Sequence, residues 1–158
     1  MTPPGRMTDS PLSTDLDAHR VPGATLPALL EARARRSPGA EGLRFEGRSL
    51  TFGQMWEHAL SMARDLGELG VRRGQRVAVI VHNGLDFPLA WLAIPMLRAV
   101  VVPVHAGYRG NDLRHVLEAS RASIVLAGAE QLPLLEEIRP GLARVRGTCA
   151  LADGRIDG

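Results

Sequence analysis

The hydrophobic pattern is organised around residues 76–104, which read RVAVIVHNGLDFPLAWLAIPMLRAVVVPV. A β-branched run at Val77–Val81 is followed by an apolar segment of helical length at Asp86–Leu97 and by a second β-branched run at Val100–Val104. This order predicts a βαβ unit, in which a right-handed crossover joins two parallel strands. Because neither run alternates apolar with polar residues, we expect both strands to be buried on both faces.

The same alternation of elements continues toward the C-terminus. The pattern predicts a helix capped by Asn111 or Asp112, a strand at Ser123–Leu126, a weaker helix at Glu130–Ile138 and a fourth strand at Arg144–Leu151. Residues 153–158 are turn-like in composition. The sequence therefore predicts an α/β fold, an open and mostly parallel sheet with helices on its faces.

Upstream of this region the pattern predicts a leader, two helices and a β-hairpin. Residues 1–23 are rich in Pro, Ser, Thr and Asp, which is typical of disorder, so we expect one domain at 24–158. Thr25 precedes a helix with one apolar face, formed by Leu26, Leu29 and Leu30. The hairpin spans 43–51, and Thr51 with Gln54 can form a capping box at the start of the next helix, whose apolar face is Met55, Ala59, Met62, Ala63 and Leu66.

Composition excludes several classes of function. All 19 basic residues are arginines, so a mechanism that needs a lysine is outside this chain. The net charge is only +2 and the arginines are scattered among acids, which argues against a nucleic-acid partner. Cys149 has no second cysteine to pair with, and its surroundings carry no nucleophile motif. The apolar stretch 87–104 contains an arginine and three prolines, so we predict no transmembrane segment.

The titratable and nucleophilic side chains do not form a recognisable catalytic set. His105 follows a predicted parallel strand, where ligands bind in open α/β sheets, although a loop residue that bonds to backbone is the favoured interpretation. Arg109 is a candidate for a phosphate contact, and an exposed loop arginine is the competing interpretation. We predict no catalytic residue and no metal ligand among the remaining candidates, which are His58, His82 with Asn83 and Gly84, His115, Asp65 with Glu68, Glu136 with Glu137, Ser120 and Ser123.

Four segments, taken in order, resemble the N-terminal part of the adenylate-forming (AMP-binding) superfamily. Residues 50–55 (LTFGQM) are similar to its LTY-x-EL segment, and 69–78 to its LG-V-x-x-GD-x-VA run. Residues 83–99 are similar to its N-x-x-EF helix, and 101–120 to the VVPVNPxYRGDELRYxLEDS segment of CoA ligases. The resemblance spans about residues 25–128 and is closest to acyl-CoA synthetases of the fatty-acid or carnitine type.

The resemblance implies an enzyme that activates a carboxylate with ATP and Mg²⁺, forms an acyl-adenylate and transfers the acyl group to CoA. It also implies a fold that is incomplete relative to the family's full domain. The family's TSGTTGxPKG phosphate loop and its C-terminal lysine have no counterpart here. We therefore expect an N-terminal fragment, truncated before the phosphate loop, that is inactive and holds no cofactor by itself, with cytoplasmic localisation. Its expected partner is the C-terminal remainder or a full-length synthetase.

Two residues depart from the family pattern in the central segment. Arg98 stands where the family has the glycine of an AGA turn, and Pro95 lies within the predicted helix, where it removes an amide donor.

Alternative functions also stay open at this point. One is a non-enzymatic partner or regulatory subunit of a synthetase, which would cover an apolar face of the sheet. Another is a nucleotide-binding module, although the G-x-G-x-x-G turn is missing.

Overall fold

The computed structural model describes residues 25–157, so the predicted leader at 1–23 lies outside the described range. The helices are α1 Leu26–Arg36, α2 Phe52–Glu68, α3 Asp86–Met96, α4 Gly110–Ser120 and α5 Leu132–Ile138. The strands are β1 Glu41–Phe45, β2 Arg48–Thr51, β3 Arg76–Ile80, β4 Val100–Pro103, β5 Ile124–Ala127, β6 Gly147–Ala152 and β7 Arg155–Asp157. Short 3₁₀ turns flank α5 at Ala129–Gln131 and Arg139–Gly141.

The main sheet has five strands in the order β4-β3-β5-β6-β7. Strand β3 pairs in parallel with both β4 and β5, and β5 pairs in parallel with β6. Strands β1 and β2 form a separate antiparallel hairpin. The predicted fold class, a mostly parallel α/β sheet with an N-terminal hairpin, is confirmed.

Strand β7 corrects the prediction of a turn at 153–158. It pairs antiparallel with β6 through a two-residue turn at Asp153-Gly154, with Ala152 opposite Arg155. Both turn residues have positive φ, 50° and 72°. Two left-handed residues give the turn a twist that matches the flanking strands, which is why Asp-Gly is a strong hairpin signal. The sequence carried this signal, and the prediction missed it.

Helix α2 shows how local chemistry sets a boundary. The Gln54 amide donates to the Thr51 hydroxyl at 3.2 Å, and the Thr51 amide donates to the Gln54 side chain at 2.9 Å. This reciprocal pair is the predicted capping box. The predicted apolar face is also confirmed, because the helix buries Met55, Ala59, Met62, Ala63 and Leu66.

Helices cover both faces of the main sheet. One core lies between the sheet and α1, α2 and α3, and includes Val77, Val79 and Leu126. The other lies between the sheet and α4 and α5, and includes Ala78 and Val125. The expectation of an uncovered sheet face is therefore wrong, because each crossover helix packs onto the strands that it joins.

Strand β4 is an edge strand, so the prediction that it is buried on both faces is wrong. Val100 is 47% exposed, and Pro103 is exposed as well. The amides of Val100 and Val104 donate toward β3, to the carbonyls of Gln75 and Val79. Successive amides alternate in direction along a strand, so the amide of Val101 and the ring nitrogen of Pro103 face the open side.

Two helix predictions also need correction. In α1 only Leu30 and Ala34 are buried, whereas Leu26 is 50% and Leu29 41% exposed. The cause is that α1 contacts the rest of the fold through a narrower stripe than the spacing of its leucines predicts. Helix α4 begins at Gly110, so the two predicted caps, Asn111 and Asp112, lie inside the helix rather than before it. No side chain caps its first turn.

The connection from α3 to β4 retains the turn that the family pattern requires. Arg98 has φ 55°, the left-handed conformation that glycine adopts without cost. Its carbonyl accepts the amide of Gly74 at 2.9 Å. Pro95 is the second-to-last residue of α3 rather than a central one, so the missing donor affects only the last turn.

Candidate functional site

The loops that follow β3, β4 and β5 meet at the carboxyl edge of the sheet, because these three strands are parallel neighbours. A cleft of about 470 Å³ lies there between the loops of β3 and β4. Its walls are apolar, apart from two imidazoles and one amide. It is lined by Val81, His82, Asn83, Phe87, Pro103, Val104, His105, Ala106 and Gly107.

His105, the sequence candidate on this edge, is held by its own loop. Its Nδ1 accepts the amide of Gly107 at 3.0 Å. Its ring lies edge-on to Tyr108, with centroids 5.7 Å apart. A Cβ on Gly107 would lie 2.7 Å from the imidazole, so only glycine fits beneath this ring. The geometry leaves Nε2 as the nitrogen that can face a ligand.

Arg109 folds back onto the same loop. Its Nη1 donates to the carbonyls of Ala106 at 2.6 Å and Tyr108 at 2.8 Å. These bonds cap carbonyls that lie just before α4, so the guanidinium stabilises the loop. A phosphate contact would use the nitrogens that these two bonds leave free.

His82 and Glu130 link the loops after β3 and β5. His82 Nε2 lies 2.8 Å from Glu130 Oε1, and both side chains are more than half exposed. The sequence predicted no catalytic or metal-binding role for His82 and no link to Glu130. The sequence carries no direct signal for this pair, because only the strand order places the loops after β3 and β5 side by side.

Gln131 is the buried polar residue of this edge, with 1% of its surface exposed. Its Nε2 donates to Glu130 Oε1 at 3.2 Å, and within the described chain its Oε1 has no hydrogen-bond partner. That oxygen lies 2.7 Å from the position of a Cβ on Gly128. Gly128 therefore leaves room for the glutamine to cover the end of β5, a relationship that periodicity could not reveal.

A second cleft, of about 530 Å³, lies beside His58, where β6 reaches the carboxyl edge. His58 packs under the β6–β7 turn, where a Cβ on Gly154 would lie 2.6 Å from Nδ1. The turn is fixed by Asp86, whose Oδ1 accepts the Gly154 amide at 2.6 Å, and by an ion pair of Arg48 with Asp153 at 2.7 Å. These contacts join α3, the hairpin and the end of the sheet.

The other candidates have structural partners or lie on exposed helix faces. Ser120 Oγ donates to the Leu117 carbonyl at 3.0 Å, and Ser123 Oγ to the Arg76 carbonyl at 3.2 Å. Glu136 pairs with Arg139 at 3.1 Å. His115, Glu68, Glu136 and Glu137 are exposed, and Asp65 is half-buried.

Cys149 is buried in the core of the sheet, and burial raises the pKa of its thiol. A thiol that stays protonated is a poor nucleophile. Over residues 25–157, no group of three or more His, Cys, Asp or Glu side chains is placed to hold a metal ion. Within the same range every helix is too short or too polar to traverse a lipid bilayer.

Three arginines from the densest clusters, Arg33, Arg35 and Arg72, have partners within the fold. Arg33 stacks over the Phe52 ring at 5.1 Å, and Arg35 pairs with Glu31 at 2.6 Å. Arg72 donates to the carbonyls of Gly67 at 2.8 Å and Val71 at 3.0 Å. These contacts occupy the three guanidinium groups with a ring, a carboxylate and backbone carbonyls.

The described residues do not form a cradle for ATP and Mg²⁺. In the loop after β4 the Gly107 amide already donates to His105, and Arg109 already donates to two backbone carbonyls. Among residues 25–157 no group of three or more His, Cys, Asp or Glu side chains is placed to hold a cation. The carboxyl edge offers an apolar cleft with imidazole and amide groups. The same edge also carries the exposed pair of His82 with Glu130.

A mostly parallel sheet between two helical layers, with a cleft at its carboxyl edge, defines an α/β architecture. The AMP-binding enzyme family model matches residues 30–156, so the chain belongs to the AMP-binding enzyme family. The resemblance read from the sequence is thereby confirmed.

Relatives include both CoA ligases and peptide synthetases. The chain is 36% identical over 109 residues to 4-hydroxybenzoate–CoA/benzoate–CoA ligase of Rhodopseudomonas palustris, a match covering 67% of this chain and 20% of that protein. It is 30% identical over 134 residues to tyrocidine synthase 3 of Brevibacillus parabrevis, covering 85% of this chain and 2% of that protein.

Among solved structures, the chain is similar to the N-terminal domain of FACL13 from Mycobacterium tuberculosis. The TM-score is 0.76 at 26% identity, and the match covers 83% of this chain and 34% of that chain. The chain thus spans a fifth or less of the two relatives above and about a third of this solved domain.

Proposed function

We propose that this chain is the N-terminal unit of an ATP-dependent acyl-CoA ligase and catalyses no ligation by itself. The complete reaction would activate a carboxylate as an acyl-adenylate, release pyrophosphate and form a thioester with CoA. The observation that carries the proposal is the family match over residues 30–156, combined with a sequence that has neither a lysine nor a phosphate loop.

The CoA-ligase branch is preferred over the peptide-synthetase branch. The support is the higher identity to the Rhodopseudomonas ligase, 36% against 30% for tyrocidine synthase 3. The chain is also 29% identical over 94 residues to a crotonobetaine/carnitine–CoA ligase of Salmonella paratyphi A. An organic acid is therefore the proposed substrate class, and a role in fatty-acid metabolism and a cytoplasmic location stay predictions.

ATP, Mg²⁺ and CoA would act only in a complete enzyme. The residues at the carboxyl edge do not fit a nucleotide and its cation, as the engaged loop amide and arginine indicate. What this chain would contribute is the wall of the cleft beside His82 and His105. Binding of phosphates would need groups from other parts of the enzyme.

The first experiment measures ligation by the purified chain. It is incubated with ATP, Mg²⁺, CoA and benzoate, 4-hydroxybenzoate, carnitine and a fatty acid, and thioester and pyrophosphate are quantified. We expect neither product, while the Rhodopseudomonas ligase serves as the positive control. Thioester formed by the purified chain would contradict the inactivity part of the proposal.

The second experiment tests the ligase assignment with a chimera. Residues 25–157 replace the matching segment of the Rhodopseudomonas ligase, which supplies the remaining parts. We expect ATP-dependent formation of benzoyl-CoA at a reduced rate. A chimera that folds but forms neither the adenylate nor the thioester would contradict the assignment.

A second candidate function is a non-enzymatic partner of a full-length synthetase. The observation that favours it is the solvent side of α3, where Trp91 is 51% exposed. Co-purification with the intact Rhodopseudomonas ligase, and a change in its rate, would support this role. Absence of both would count against it.

A further inference from the structure

Helix α3 differs from its neighbours because it has no polar side. From Phe87 to Met96 every residue is apolar. Helix α2, in contrast, carries Glu57 and Arg64 on its solvent side, and α4 carries Glu118. A helix that is apolar all round is typical of a buried position, whereas a surface helix has a polar face.

Only one side of α3 is buried in the described fold. The buried side consists of Leu89, Ala90, Ala93 and Ile94. The opposite side, here called the outer α3 surface, consists of Phe87, Pro88, Trp91, Leu92 and Pro95. Trp91 is exposed and the other four are half-buried, with Phe87 and Leu92 also packed against the core. Trp91 is 51% exposed and meets Phe87 edge-on, with ring centroids 5.6 Å apart. Large aromatic residues of this kind dominate the energetics of protein interfaces.

The sizes of the relatives identify what covers this surface. The chain matches 34% of the solved N-terminal domain of FACL13. About two-thirds of that domain therefore has no counterpart in the match. Larger domains bury a greater fraction of their surface, so a helix on the surface of this unit can lie in the interior of the larger domain.

We propose that the outer α3 surface packs against the remaining part of an AMP-binding domain, an inference that rests on the proposed function. Its occupant is an apolar face of that remainder, and Trp91 is the central anchor. The surface then explains the sequence of α3, because each of its apolar residues is buried once both sides are covered.

A lipid surface fits α3 less well. The helix has 11 residues and so is about 16 Å long, too short to span a bilayer. Helices that lie on membranes carry Lys or Arg on a polar face, and α3 has neither. A second copy of the chain is the other competitor, and the experiment separates it.

The test measures the solvent accessibility of Trp91 by hydroxyl-radical footprinting with mass spectrometry. The full chain is compared with the chimera described above. We expect oxidation of Trp91 to be roughly tenfold slower in the chimera, as for an anchor at the dry centre of an interface.

Trp91→Gln should reduce the chimera's melting temperature and leave that of the full chain nearly unchanged. The matched control is Leu60→Gln on α2, where an apolar residue is 38% exposed; it should change neither temperature.

Four results would overturn the proposal. They are equal oxidation in a folded chimera, a chimera that does not fold, concentration-dependent protection of Trp91 in the full chain, and protection by phosphatidylcholine–phosphatidylglycerol vesicles. The last two assign the surface to a second copy and to a lipid surface. A folded chimera that protects Trp91 yet lacks ligase activity would support this interface while contradicting the proposed function.

Discussion

Asp86 Oδ1 accepts the backbone amide of Gly154 at 2.6 Å, joining residues that are 68 positions apart. Asp86 is the first residue of α3, and Gly154 lies in the β6–β7 turn. The bond is partly buried, so it fixes the edge of the sheet against the start of the helix. Hydrogen bonds to a charged group are stronger than those between neutral groups.

Asp86→Ala should lower the free energy of unfolding by roughly 1.5–3 kcal/mol, the usual range for a hydrogen bond to a charged group. Urea denaturation followed by circular dichroism measures the loss. Asp112→Ala is the matched control, because Asp112 is also in the first turn of a helix and is exposed. Equal losses in both variants would show that the bond to Gly154 contributes nothing specific.

Arg98→Gly should raise the free energy of unfolding by about 1 kcal/mol, since a residue with a Cβ pays roughly 1–2 kcal/mol in the left-handed region. Arg98 has φ 55° and an exposed side chain, so little is lost with it. Arg73→Gly, in the turn before β3, is the control and should not raise the free energy of unfolding. A lower melting temperature for Arg98→Gly would mean that the arginine side chain stabilises the connection.

Gly128→Ala should destabilise the fold by about 1–3 kcal/mol, the usual cost of overpacking. The backbone of Gly128 is at φ −63°, which any residue adopts, so the cost comes from the Gln131 oxygen that would lie 2.7 Å away. Shortening that side chain in Gly128→Ala/Gln131→Ala should recover part of the loss. Additive effects in the double-mutant cycle would contradict a direct contact.

Cys149 should react slowly with a thiol reagent in the native chain. Its pKa is raised by burial, so less thiolate forms at a given pH than for a free cysteine, and the core also blocks the reagent. Stoichiometric reaction should appear only in denaturant. The raised pKa means that the native state keeps its proton as pH rises, so stability should fall above the ordinary thiol pKa. Fast labelling in buffer at pH 8 would contradict this picture.

The sequence predicted the features that depend on local hydrophobic period and helix capping. It did not predict the features that depend on how neighbouring elements pack together. The capping box of Thr51 with Gln54 and the buried face of α2 depend on residues three or four apart, so both could be read directly. The exposure of Val100 depends on β4 being last in the sheet, which strand order determines. β-branched residues alone do not report that order.

The candidate site was located only in part. His105 was placed correctly at the end of a parallel strand, because the βαβ pattern fixes where the loop lies. The pairing of His82 with Glu130 brings together the loops that follow β3 and β5, whereas Gln131 packs over Gly128 within the loop after β5. The first of these contacts depends on three-dimensional adjacency across two intervening helices and a strand, for which one sequence carries no signal.

The open edge of β4 has a consequence for how the chain behaves at high concentration. An incoming strand needs a row of free backbone donors. Along β4 the outward positions are Val101 and Pro103, and proline has no amide hydrogen. A single donor cannot template a ladder, so this edge resists the growth of cross-β fibrils despite its valine-rich sequence.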